Sequence, residues 1–523
     1  MKGKSVMRHF HFSHLAITAA LAVAASSARA TMEYATPESQ GVRSSAISSW
    51  LDANEAFFDG GEQGALHGFV IVRHGKVIAE GSWRPYDTLN ETHMLYSHSK
   101  SFTSTAIGFL LDDGKLDLDE RVAEIFADRL PAEAATNANV RALRVRDLLT
   151  MNVGSDNDHR LGFGKNVDWP REFFELKCFT RQPGTGFKYD SDATFMLAAI
   201  AERRSGRKLM DFLGERLFKP LGITKAWSTV SPEGIACGGW GMNMTTRDLA
   251  RFGQLYLDRG RWEGRQLLSP EWVQLATARQ TWSSAIRIGA ADIGKGFDWD
   301  QGYGFQFWRC RHGAYRADGA FGQYTVVFPA EDMVVSINAS VIDLQKVLDF
   351  VYGHLLAGLE PAALPADDAA EAALRKRLAS LALAPLKGLA KADGDGTLFG
   401  RDIAFKANNR SFKSVRLDRA AKGWTCTLDL PVGRQTFPIG FGEWSRGEIG
   451  IDTERYEALG GYIGRHAIVA SGAFDADGTF RLTAHFPNDT GTLRLEFKPD
   501  GKGGHAVKGF FFAMCGMPLE SAQ

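Results

Sequence analysis

The spacing of apolar residues changes along the chain, and each change marks a new element. Gly68 to Val72 and Val77 to Gly81 are apolar runs flanking Arg73-His74-Gly75-Lys76, which predicts a β-hairpin. From Ser97 onward, Ala106, Ile107, Leu110 and Leu111 recur at helical spacing until Asp112-Asp113-Gly114, which predicts a helix of about four turns. Residues 154–187 lose this periodicity and are rich in loop signals, Trp169-Pro170 and Gln182-Pro183-Gly184 among them. Helical patterns return at Asp192 to Arg204, Leu209 to Leu217, Thr246 to Gly260 and Pro270 to Ala278. A second β-rich block spans Gly302 to Ser340, with apolar runs Tyr324 to Phe328 and Met333 to Asn338. Strands at both ends with helices between them predict an α+β domain whose antiparallel sheet is closed by its N- and C-terminal segments.

The pattern changes again near Glu360. Pro361 to Ala373 is rich in Ala and Pro, and a short amphipathic helix is predicted over Ala372 to Leu383. Alternating runs then follow at Ile403 to Lys406, Trp424 to Leu430, Gln435 to Ile439, Ala467 to Phe474, Phe480 to Phe486 and Thr492 to Phe497. Strands at this spacing, with Gly, Asp and Asn turns between them, predict a small antiparallel barrel or sandwich. The expected divisions are 1–30, 31–360, a linker with a short helix at 361–390, and a β-rich C-terminal domain at 391–523.

The first thirty residues form a separate segment. Lys2, Lys4 and Arg8 precede the apolar run Leu15 to Ala25, and Ala28-Arg29-Ala30 offers a small-x-small cleavage site. This is the pattern of a secretory signal, with a run shorter than the ~20 residues a membrane span needs. The expectation is export to a periplasm or beyond, with cleavage after Ala30 and no membrane span afterwards. Over the full 523 residues, 61 Lys and Arg balance 61 Asp and Glu; without the leader, 57 basic groups face 61 acidic ones. A mildly acidic chain lacking a basic, aromatic-interleaved patch does not hold a polyanion, so nucleic acid is not an expected partner. The cysteines at 178, 237, 310, 426 and 515 are scattered without a Cys-x-x-Cys pair, which predicts buried free thiols rather than a zinc site or disulfide framework, with one bridge left open.

Candidate chemistry centres on Tyr96-Ser97-His98-Ser99-Lys100. Ser97 opens the predicted helix, where backbone N–H groups favour developing negative charge, and Lys100 lies one turn on along the same face. A lysine partly desolvated beside that positive end can serve as base to the hydroxyl. On local grounds, nucleophile and plain helix cap have equal weight for Ser97. A second Ser-x-x-Lys, Ser205-Gly206-Arg207-Lys208, follows a helix and reads as a polar connector. Asp156-Asn157-Asp158-His159 reads as a solvated loop, and Lys391 to Gly396 lacks the later ligands of a calcium loop. Gly-x-Ser-x-Gly, His-Glu-x-x-His and Walker sequences do not occur, and no cofactor is called for.

The Ser97-x-x-Lys100 stretch is one of several motifs in a consistent order. Leu148-Leu149-Thr150-Met151-Asn152-x-Gly154, Pro183-Gly184-x-x-Phe187-x-Tyr189-x-Ser191, Pro220-Leu221-Gly222-Ile223, Asp248-Leu249-Ala250-Arg251-Phe252-Gly253 and Gly319-Ala320-Phe321-Gly322-Gln323 follow it. Together, over roughly residues 35 to 357, the chain resembles the serine β-lactamase-related superfamily, which includes class C β-lactamases, D-alanyl-D-alanine carboxypeptidases, family VIII esterases, D-aminopeptidases and 6-aminohexanoate-dimer hydrolases. The resemblance implies a β-lactamase-like fold with an inserted helical subdomain. It also implies Ser97 as acylated nucleophile, Lys100 as its proton acceptor and Tyr189 as second acid/base.

Two departures from the family pattern bear on substrate. The second motif, usually Tyr-x-Asn, is Tyr189-Asp190-Ser191, which keeps a hydroxyl but loses the amide donors. The third motif, Lys-Thr-Gly or His-Thr-Gly in relatives, aligns with Ala317-Asp318-Gly319, or with Ala314-Tyr315-Arg316 if the loop is longer. On the first alignment the carboxylate-recognising cation is gone, with Arg316 and His312 as possible replacements. The oxyanion donors implied are the Ser97 amide and one near Gly319 and Ala320, with Gly319 and Gly322 letting substrate approach the backbone. The expected partner is a small ester, amide or peptide. The leading reading is hydrolysis of an ester or linear amide, with a β-lactamase or D,D-peptidase as the alternative and a non-catalytic penicillin-binding-like scaffold as the rival from another class.

Overall fold

A computed structural model describes residues 32–156, 161, 167–283, 296–392, 395–450, 465–512 and 516–522. The leader, residues 157–159 of the Asp/Asn/His loop, residues 393–394 and Cys515 lie outside them.

The predicted hairpin forms from the strands Gly64–Arg73 and Lys76–Ser82. It is part of a seven-stranded sheet in the order Glu33–Tyr34, Lys76–Ser82, Gly64–Arg73, Met333–Val341, Gln323–Phe328, Tyr315–Gly319, Trp308–Arg309. All neighbours are antiparallel except the first pair. Met333–Val341 pairs with Gly64–Arg73 in a ladder from Met333 opposite Arg73 to Val341 opposite Gly64, interrupted by one irregularity at Asn338/Ala339. N- and C-terminal segments thus close the sheet as expected. Every residue of Met333–Val341 is buried, because helices cover both faces of the sheet. One face holds Ile47, Trp50 and Leu51 of helix Ser44–Phe57 with Val347 and Leu348 of helix Leu344–Phe350; the other packs against helix Thr246–Leu257.

Helix Ser99–Asp112 is buried from Ser99 to Leu110 on all sides, not along one stripe. Its hydroxyls are satisfied there: Ser101 donates to the Gln306 carbonyl (2.7 Å), Thr103 to that of Gly238 (2.9 Å) and Ser104 to that of Phe305 (2.7 Å). Such bonds let a polar-rich helix run through a core without orphaned groups. Helix Ser191–Ser205 packs beside it.

Two elements differ from the sequence expectation. Trp169–Leu176 is a helix, because Asp168 accepts from the Arg171 amide as N-cap and Pro170 sits in the first turn, where its missing N–H costs nothing. The helix predicted over Ala372 to Leu383 runs instead over Asp368–Ala379, started by the Asp367 cap on the Ala370 amide. The segment read as a linker is packed: Leu374, Leu381 and Leu383 are buried in the same core as the sheet.

The C-terminal residues form a four-stranded antiparallel sheet (Asp402–Ala404, Ser414–Arg419, Trp424–Leu430, Gly433–Ile439) and a six-stranded one (Ser445–Gly450, Arg465–Phe474, Phe480–His485, Thr492–Pro499, His505–Phe512, Met517–Glu520). They meet at both edges, through Gly440 beside Ser471 and Phe405 beside Ser521, and enclose one core containing Trp424, Phe437, Phe474 and Phe480. Barrel and sandwich are therefore both apt descriptions. These sheets rest on the first core through Trp444 Nε1 to the Leu383 carbonyl (2.9 Å) and Arg494 to the carbonyls of Gly60 and Gly61 (2.6 and 2.8 Å).

Candidate active site

Ser97 lies in a single 3₁₀ turn, Tyr96–His98, ahead of the buried helix. It is not the helix cap; its hydroxyl meets the Lys100 ammonium nitrogen at 2.9 Å. The residue before it, Tyr96, has φ +49°. A non-glycine residue pays about 1–2 kcal/mol for that left-handed backbone, which persists only where surrounding contacts fix it.

Lys100 is 1 % exposed. Its Nζ contacts Ser97 Oγ (2.9 Å), Ser191 Oγ (3.0 Å) and the carbonyl oxygen of Gly239 (2.6 Å), and it sits 4.9 Å from the centre of the Tyr189 ring. Tyr189 is half-buried, stacked on Trp308 (ring centres 5.6 Å apart) and edge-on to Tyr303. The structure thus brings together Ser97, Lys100, Tyr189 and Ser191 from two separated stretches. The second copy, Ser205 to Lys208, lies elsewhere: Gly206 ends the helix at φ +69°, and Lys208 is exposed and bonded to Glu202 and the Gly234 carbonyl.

Tyr189 and Ser191 are held by a buried charge cluster. Asp190 caps helix Ser191–Ser205 through the Asp192 amide, and both aspartates bind Lys177 Nζ, at 2.8 and 3.0 Å. Burial and the Asp190 charge raise the Asp192 carboxyl. Glu172, fully buried nearby, is pushed up to about 7 by burial and by the charge of Asp192. None of Lys177, Asp192 and Glu172 stands out in the sequence: Glu172 and Lys177 are single charged residues in a loop-rich stretch, and Asp192 is one at the start of a predicted helix.

Gly319 ends its strand against the turn carrying Ser97. A Cβ there would lie 2.2 Å from the Leu95 carbonyl oxygen and 3.1 Å from the His98 amide nitrogen. The glycine therefore admits the protein's own turn, which corrects the expectation that its space serves an approaching substrate. Gly322 has φ +89°, the left-handed region a tight turn requires. Half-buried Ala320 lies in this turn, whose shape is fixed by Gln323 Nε2 donating to the carbonyls of Ala320 (3.1 Å) and Ala339 (2.6 Å).

The candidate replacement cations are placed elsewhere. Arg316 is 0 % exposed, paired with Asp318 (2.7 Å), within 3.1 Å of Cys310 Sγ and over the face of Trp299. His312 is exposed, beside Tyr352. Asp318 is itself buried and its carboxyl raised by burial, against the pull of Arg316 and Lys100. The thiols of Cys237, Cys310 and Cys426 are free and buried, whereas Cys178 is exposed, against the expectation of burial. Among the described residues, no group of three or more His, Cys, Asp or Glu side chains is arranged to hold a metal ion. Asp156 bonds Thr180 and Arg181 instead.

The Beta-lactamase family model matches residues 53–341. The chain is 28 % identical over 319 residues to the 6-aminohexanoate-dimer hydrolase of Paenarthrobacter ureafaciens, covering 58 % of this chain and 78 % of that one. It is 28 % identical over 286 residues to penicillin-binding protein 4 of Amycolatopsis lactamdurans, covering 46 % and 70 %. Among solved structures, a penicillin-binding protein homologue from Caulobacter crescentus aligns at 18 % identity with a TM-score of 0.47, over 60 % of this chain and 99 % of its own.

Proposed function

This chain belongs to the beta-lactamase family, and from that membership and the contacts of Lys100 we propose that it is a serine hydrolase cleaving an ester or linear amide through an acyl-enzyme on Ser97. The observation that carries the proposal is the contact of Lys100 Nζ with Ser97 Oγ, Ser191 Oγ and the Gly239 carbonyl. A neutral amine has two hydrogens and one lone pair. With its hydrogens directed at the Gly239 carbonyl and the Ser191 hydroxyl, the neutral amine turns its lone pair to Ser97 Oγ, 2.9 Å away. Lys100 in that form accepts the hydroxyl proton as Oγ bonds to the substrate carbonyl carbon. The ammonium so formed keeps both acceptors and faces the Tyr189 ring, a further favourable contact for a cation.

Tyr189 then protonates the departing group and activates the water that releases the acyl chain. The Ser97 amide and an amide at the end of strand Tyr315–Gly319 receive the oxyanion, a role supported by the contact of Gly319 with the turn carrying Ser97. Preference for esters or linear amides over β-lactams and D-alanyl peptides follows from burial of the Arg316–Asp318 pair, which leaves no third-motif cation to meet a substrate carboxylate. The relative named for hydrolysing a 6-aminohexanoate dimer is consistent with that preference. We also propose export, directed by the first thirty residues, with the mature chain starting at Thr31.

Intact mass after treatment with a fluorophosphonate tests the nucleophile. One adduct on the wild type and none on Ser97→Ala is expected; an unmodified wild type, or an undiminished adduct on the variant, refutes it. Turnover of p-nitrophenyl butyrate without turnover of nitrocefin is the expected substrate profile, and the reverse would establish a β-lactamase.

A further inference from the structure

The turn between strands Phe480–His485 and Thr492–Pro499 of the C-terminal sheet reaches the segment that carries Ser97. The Met94 amide donates to the Asn488 carbonyl (2.9 Å), and Asn488 Nδ2 donates to the Thr92 carbonyl (2.8 Å). Next in line, the Tyr96 hydroxyl donates to Asp489 Oδ1 at 2.7 Å and lies 2.9 Å from Thr490 Oγ1. All three side chains are buried, Tyr96 at 3 %, Asp489 at 5 % and Thr490 at 0 % exposure. Asp489 is fixed from its own side, since Oδ1 also accepts from the Thr490 amide (2.6 Å).

Tyr96 is the residue whose left-handed backbone precedes Ser97. Its phenol is anchored to a turn some 390 residues away in sequence, and its ring meets that of Phe321, from the turn after Gly319, nearly at right angles (5.4 Å between centres). A strained residue held by a buried, charge-assisted bond keeps one conformation, and that conformation fixes where the next side chain points.

We propose that Asp489 is a positioning residue for the hydrolytic reaction: through the Tyr96 hydroxyl it holds the backbone turn that aims Ser97 Oγ at Lys100 and at the end of strand Tyr315–Gly319. The C-terminal sheets thereby supply a working part of the active site. This inference rests on Ser97 being the nucleophile. Asp489 touches no reacting atom and takes no proton.

The test uses the full chain and follows fluorophosphonate labelling of Ser97, resolved into maximal rate and half-saturating concentration, alongside the urea midpoint. Tyr96→Phe removes only the hydroxyl, and Asp489→Ala removes its acceptor. Each is expected to lower the maximal labelling rate about tenfold or more with little change in half-saturation, and the double variant to lose no more than either single one. Asp489→Asn, which keeps an acceptor oxygen, is expected to restore most of the rate. A merely structural role lowers the urea midpoint but leaves the labelling rate of the folded protein at the wild-type value, and that result for Tyr96→Phe overturns the proposal even if Asp489→Ala fails to fold. Failure of the wild type to label refutes the nucleophile reading itself, and the positioning role falls with it.

Discussion

Gly319→Ala is the most direct test of how the site is assembled. The added methyl would lie 2.2 Å from the Leu95 carbonyl oxygen, 3.0 Å from Gln323 Cβ and 3.1 Å from the His98 amide nitrogen. Relief needs roughly 1 Å of separation between strand and turn, more than packed interiors yield freely. Neither side is free to move. The turn is tied by the Leu95 amide on the Met242 carbonyl (2.9 Å) and the His98 amide on the Leu95 carbonyl (3.2 Å); the strand is paired through Gly319 opposite Gln323. Forcing one methyl into a filled space costs about 1–3 kcal/mol, with the upper part expected where backbone opposes it. A displacement of that size between the proposed nucleophile and the proposed oxyanion donors costs on the order of a hundredfold in rate. Urea unfolding and fluorophosphonate labelling of the folded variant measure the two effects separately. The expectation is a stability loss of about 1–3 kcal/mol and roughly hundredfold slower labelling. Wild-type stability with wild-type labelling would show that strand and turn do not need this contact.

Further predictions concern other parts of the structure. Ser191→Ala deprives Lys100 of one acceptor; bonds to charged groups are worth about 1.5–3 kcal/mol, so Ser97 labelling should slow by about tenfold or more, and an unchanged rate would remove Ser191 from the mechanism. Gly108→Ala drives a methyl to 2.6 Å from the Trp272 indole and should cost about 1–3 kcal/mol, whereas Gly353→Ala meets open space in a helical turn and should gain about 0.5–1 kcal/mol; equal urea midpoints for the two would contradict the packing described. Burial holds the fully enclosed His98 and His485 down to about 3, so the unfolded chain binds protons the folded one refuses, and stability falls as pH drops below about 6.5, by up to ~1.4 kcal/mol per unit for each histidine. Glu172, raised to about 7, acts with the opposite sign between pH 4.5 and 7, so Glu172→Gln should make the acid loss steeper; a urea midpoint that does not fall between pH 6.5 and 5 refutes this balance. Cell fractionation with N-terminal sequencing checks export, with a mature start at Thr31 expected and an intact Met1 in the cytoplasm refuting it.

What could be read from the sequence alone depended on how far each feature reaches along the chain. Strands such as Tyr324 to Phe328 and Met333 to Asn338 announce themselves because both faces are buried, which makes every residue apolar or internally bonded. The strand Ser414–Arg419 went unread because only Val415 and Leu417 face its core, too few to set a period. Helix Trp169–Leu176 was hidden for another reason: its proline reads as a breaker unless the cap at Asp168 is weighed with it.

The site divides along the same line. Ser97 and Lys100 are three residues apart on one helical turn, so their meeting is local and visible. The contacts that would make that pair a base and a hydroxyl, in the proposed reaction, are not local. The Gly239 carbonyl that takes one Lys100 hydrogen carries no side-chain signal, and it arrives 139 residues on; the Ser191 hydroxyl arrives after 91. The carboxylate that anchors the turn before Ser97 comes after 393. Each closure costs conformational entropy that the site itself does not repay, so the buried cores beneath the three segments must supply it. The Ser97, Ser191 and Gly239 segments rest on the buried packing of helices Ser99–Asp112 and Ser191–Ser205, and the Asp489 turn on the core inside the C-terminal sheets. Loosening the C-terminal core, for example with Trp424→Ala, should therefore slow Ser97 labelling before it exposes the buried helices. Proteolytic cleavage sites mapped in both regions across a urea series should show two separate transitions, whereas a single shared transition would refute it.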